Sequence, residues 1–116
     1  MHKKVKKDSE QLAALARALR TEALKHKQNP LTPALLERIQ VLERRAQELQ
    51  AAVAAVDENF LSVPGLTSAE EIRSEAKWLQ ETFAHSRPEK QGKKLRALAR
   101  EIEKHAGSLA DRMRLP

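Results

Sequence analysis

Cysteine is absent from this chain of 116 residues. Its absence removes disulfides, thiolate metal sites and cysteine nucleophiles at once, and it fits a reducing, cytoplasmic compartment. Glycine occurs three times and aromatic residues supply 3% of the chain. No glycine-rich phosphate loop is present, because Gly65, Gly92 and Gly107 stand alone and none follows a stretch with strand character. Apolar runs are short, and none approaches the roughly 20 residues that span a bilayer. The basic start from Met1 to Lys7 is followed by Asp8, Glu10 and Gln11 rather than by an apolar stretch, so it does not read as an export signal.

What remains is rich in alanine, leucine and charge. With 33% charged residues and few β-branched side chains, nearly every window prefers helix to strand. The length suits one domain with one core. Four amphipathic segments are legible, at about 8–28, 33–60, 68–86 and 89–114, behind a basic tail over 1–7.

In the first segment, Asp8 or Ser9 is placed to cap, and Val5, Leu12, Ala16, Leu19 and Ala23 recur at heptad-compatible spacing. In the second, Thr32 is a cap and Pro33 suits the first helical position, where a missing N–H costs nothing. Leu35, Ile39, Leu42, Ala46, Leu49, Val53, Val56 and Phe60 then alternate in steps of four and three, a seam of period 3.5. Pro64 and Gly65 read as a turn, and Thr67 with Glu70 as a capping box opening the third segment. Its stripe is Ala69, Ile72, Ala76, Leu79 and Phe83; that of the fourth is Leu95, Ala99, Ile102, Ala106, Leu109 and Met113. Short connections make consecutive helices neighbours. The expectation is an all-α, single-domain antiparallel four-helix bundle with a long heptad-patterned second helix.

Reactive chemistry is not evident. Glu22 with His26, Glu81 with His85, and Glu101 with His105 are four residues apart, one residue more than the Glu-x-x-His spacing of carboxylate metal sites in bundles. They read as ordinary helix-surface pairs, with His26, near the end of the first stripe, as a partly buried helix end rather than a ligand. The serines lack a nucleophile-elbow context, and three of them serve better as caps or turns. The chain is expected to be no enzyme, with no metal, no cofactor, no small-molecule substrate and no membrane contact.

Charge is the stronger signal. The net value is +6, and from His2 to Asn29 eight Lys or Arg oppose three acids, while from Arg87 to Pro116 nine oppose four. The middle of the chain is acidic. The densest basic clusters are Lys3, Lys4, Lys6 and Lys7, and Lys90, Lys93, Lys94, Arg96 and Arg100. Such clusters neutralise phosphates, whereas the bland alternative is a solvated, solubilising surface. With Phe60 and Phe83 on apolar stripes, only Trp78 is left to stack on bases. Contact with nucleic-acid backbone of low sequence specificity is therefore expected, in an accessory or assembly subunit of a nucleoprotein complex. The alternative is a protein-protein adaptor, chaperone or inhibitor acting through helix contacts. For that reading, or for self-association, Trp78 with Glu71 and Glu75 on the same side of the third helix forms the candidate interface.

Overall fold

A computed structural model describes residues 2–25, 30–55, 63–85 and 89–114. They form four helices, α1 (His2–Leu24), α2 (Pro33–Ala55), α3 (Val63–Phe83) and α4 (Glu89–Arg114). Each helix packs on its predecessor and α4 closes against α1, while among the described residues the diagonal pairs bring no Cα atoms within 8 Å of each other. The result is an antiparallel four-helix bundle, 48 × 20 × 19 Å.

The stripes read from the sequence are the core. Leu12, Leu19, Ile39, Leu42, Ile72, Leu79, Leu95, Ile102 and Leu109 are fully buried, with Leu49 and Val53 nearly so. The α3–α4 seam is the most intimate; alanines at 69, 76, 99 and 106 and Gly107 line it, all buried. Small side chains bring helix axes close, so residues flanking this seam meet across it. The α2–α3 seam is the sparsest.

The helix starts differ from expectation in two places. Residues 2–7 are not a tail but the first turns of α1. Val5 lies one heptad before Leu12 and is buried, and between them Ser9 occupies the seam position at 1% exposure. Its hydroxyl donates to the Lys6 carbonyl at 2.8 Å, which satisfies it without water. Ser9 is therefore an interior residue and not a cap. Likewise α3 begins at Val63, so Thr67 and Glu70 lie inside it. Pro64 opens the first turn instead of breaking the chain, since its fixed φ suits that position.

Thr32 does cap α2: its Oγ1 accepts from Leu35 N–H at 3.2 Å, and Pro33 is the first helical residue. Regular helix ends at Leu24 in α1 and at Phe83 in α3, short of the expected 28 and 86; α4 starts at Glu89, as expected. His26, Val56, Phe60 and Ser86 lie outside the described residues. Among the described residues no helix is long and apolar enough to cross a membrane.

Candidate nucleic-acid interface

The two basic clusters are joined to the fold by the antiparallel contact of α1 with α4. At one end of that contact Asp8 is enclosed by α4. Ser108 Oγ donates to its Oδ2 at 2.9 Å, Arg112 Nε donates to the same oxygen at 3.3 Å, and His105 Nδ1 lies 3.2 Å from Oδ1. At the other end Glu22 sits between Lys94 at 3.7 Å and Lys25 at 3.6 Å. Fourteen residue steps along α1 separate Asp8 from Glu22, about 21 Å of helix.

This geometry distributes the sequence-predicted cations. Lys3, Lys4, Lys6 and Lys7 surround the start of α1, all exposed, beside the C-terminal end of α4. Lys90, Lys93, Lys94 and Arg96 are exposed at the opposite end of the bundle. The helices that carry the two basic segments are neighbours, but antiparallel packing sends their clusters to opposite ends. Arg100 falls between them.

Lys93, Arg96, Arg100 and Lys104 are three or four residues apart and so form one stripe of α4. Across the seam, α3 adds Arg73 and Lys77, four residues apart. These side chains border three consecutive clefts along the α3–α4 face. Lys93 and Arg96 line the first, Lys77 and Arg96 the second, and Arg73, Arg100 and Lys104 the third. Glu103 separates the second cleft from the third and accepts from Gln80 Nε2 at 2.7 Å. Gly107 is the floor of the third: a Cβ there would lie 3.4 Å from Arg73 Nε. Arg73, Lys77 and Lys104 were not singled out in the sequence. The i, i+3, i+7, i+11 cation row was readable there, but its convergence with α3 was not.

Trp78 lies on the other side of α3, where α2 passes. The Arg38 guanidinium stacks over its ring, 3.5 Å from the centroid. The same guanidinium grips Glu75 with two bonds, Nε to Oε1 at 2.7 Å and Nη2 to Oε2 at 3.0 Å. Hydrogen bonding to Glu75 raises the Arg38 pKa further above its ordinary value; burial opposes this and the Glu75 charge adds to it. Arg45 stands 3.9 Å from Glu71. The acids grouped with Trp78 thus face arginines of this chain, and Trp78 keeps 38% of its surface exposed.

The histidine pairs divide. Glu81 and His85 are both exposed, whereas His105 is not an ordinary surface residue: it reaches Asp8 across the helices and stands 4.0 Å from Glu101. Glu22 turns to Lys25 and Lys94. Ser108 is engaged in bracing α1 on α4, with its proton directed to Asp8. Among the described residues no group of three His, Asp or Glu side chains is placed to hold a metal ion.

Compared with family models, curated proteins and solved structures, the chain matches none. Its function has to be read from its own residues.

Proposed function

We propose that the protein is a non-catalytic accessory or assembly subunit of a nucleoprotein complex that holds phosphate backbone through cations of α1 and α4. The observation that carries this reading is the pairing pattern. Arg20, Arg38, Arg45 and Arg112 are matched to carboxylates of neighbouring helices. By contrast Lys3, Lys4, Lys6, Lys7, Lys90, Lys93, Arg96 and Arg100 are exposed and enter no ion pair among the described residues. Unmatched surface cations exchange their share of solvent and salt for phosphates, and counterions released from the nucleic acid drive the association. The lysines of α1 also stand at the positive end of its macrodipole, with no acid in the first turn, so an anion there gains from both.

The test is a titration with single- and double-stranded DNA and RNA at two salt concentrations. Affinity falls steeply with salt, by a logarithmic slope of about −0.9 for each duplex phosphate neutralised. Converting Lys93, Arg96 and Arg100 to glutamate weakens all sequences alike and flattens the slope. Lys94 is left alone because it braces Glu22. A parent protein that binds none of the four at low salt overturns the reading. The adaptor reading then takes over, and the half-exposed Trp78 is the observation that favours it.

A further inference from the structure

We infer that the partner is a nucleic-acid duplex, and that it lies along the α3–α4 face, where Arg73 and Lys77 of α3 join Arg96, Arg100 and Lys104 of α4. The inference rests on the nucleic-acid reading above and adds a strandedness and a site.

Three observations lead there. The first is convergence. The clefts of this face follow one another without a gap, the first two sharing Arg96 and the last two sharing Glu103. From Lys93 to Lys104 the α4 row covers eleven residue steps, about 17 Å, with a cation at every turn. The buried alanines of the seam and Gly107 bring the α3 cations beside it. Arg73, Lys77, Arg96, Arg100 and Lys104 are all exposed, and none enters an ion pair among the described residues.

The second is the chemistry this face does not offer. Proteins that hold single strands give bases aromatic platforms as well as charge. Of the described aromatic side chains, Phe83 reaches the rim of the first cleft but is 1% exposed. Trp78 is on the opposite side of α3 beneath Arg38. Neither presents a ring face to a base in these clefts; the exposed ring that lines them is the His85 imidazole, in the first and second, so the face offers a row of charge and one small platform where a single strand needs several.

The third is charge density. A duplex carries one phosphate charge per roughly 1.7 Å of axis, and each phosphate neutralised releases more counterion than on a single strand, about 0.9 against 0.7. A row of cations with only the His85 ring to stack on therefore gains more from a duplex. The acids on the face, among them Glu81 and Glu103, limit how many phosphates are accepted and set where the backbone runs. Contacts to backbone alone carry no sequence information. DNA and RNA duplexes share this chemistry.

The experiment uses the full chain and labelled 20-base-pair duplexes of DNA and of RNA, with the matching single strands, followed by fluorescence anisotropy across a salt series. Three variants are compared with the parent: Arg73→Gln/Lys77→Gln/Lys104→Gln on the face, Lys104→Gln alone, and Arg44→Gln, an exposed α2 cation away from it. Circular dichroism checks that each is folded, and the single variant carries the test if the triple is not. The parent binds duplex more tightly than single strand, and the two duplex arms show which sugar it accepts. The triple variant has a salt slope shallower by about 2.7, with affinity at 0.1 M salt about 100-fold lower; Lys104→Gln accounts for about a third of the slope change. Arg44→Gln matches the parent. If the face variants keep the parent's slope while the parent binds duplex, the site is elsewhere and this inference falls while the nucleic-acid reading stands. Preference for single strands overturns the strandedness. Absence of any binding at low salt removes both readings together.

Discussion

Replacing Asp8 with alanine tests whether the lysine-rich start belongs to the bundle. The carboxylate is 15% exposed, and the Arg112 and His105 side chains that meet it are 30% and 25% exposed. A hydrogen bond to a charged group is worth about 1.5–3 kcal/mol when well buried, and an exposed ion pair about 0–1 kcal/mol. The Ser108 bond, at 2.9 Å, is the best formed and contributes about 1 kcal/mol. The longer contacts to Arg112 and His105 together contribute about another 1 kcal/mol. The variant should lose about 2 kcal/mol, which in a domain of this size lowers the melting temperature by about 8 °C. Urea denaturation gives the free energy, with an unchanged slope showing that the unfolded state is the same. A helix-capping aspartate would cost about 1 kcal/mol on its own, so the loss alone does not separate the two cases. A double-mutant cycle with Ser108→Ala does. The interhelical bond predicts a coupling of about 1 kcal/mol. A coupling of zero would show that Asp8 acts locally and that residues 2–7 are not docked on α4.

Truncating the core at Ile102, which is fully buried, or at Leu49, at 3% exposure, should cost about 2–5 kcal/mol each; unchanged denaturation midpoints would remove the seam argument. Arg38→Ala uncovers one face of Trp78, so its fluorescence should shift to the red and become easier to quench, with a stability loss of about 1 kcal/mol from the lost stacking. An unaltered spectrum would mean the guanidinium does not shield the ring in solution. At Gly107 an added Cβ meets Arg73 at ordinary contact distances of 3.4–3.7 Å. Gly107→Ala should therefore stabilise the helix by about 0.5–1 kcal/mol, and a lowered melting temperature would show that Arg73 has no room to give way.

Helix content, the four segments and nearly every core residue were determined by the sequence itself. The physical reason is that a seam of period 3.5 is a local pattern: Ile39, Leu42, Ala46, Leu49 and Val53 share a face wherever their helix is placed. Where local signals competed, the longer pattern won. Asp8 and Ser9 have the chemistry of caps, yet Val5 continues the stripe one heptad upstream, and burying it extends α1 to His2. Only the tertiary structure decided which charges meet. Asp8 and Arg112 are separated by 104 residues and Arg38 and Glu75 by 37, and no spacing rule links positions on different helices. Antiparallel packing of α4 on α1 sent two basic clusters to opposite ends. Close approach of α3 to α4 then gathered Arg73, Lys77, Arg100 and Lys104, from two charge-mixed segments, onto one face, because small buried side chains along that seam leave the cations beside it as neighbours.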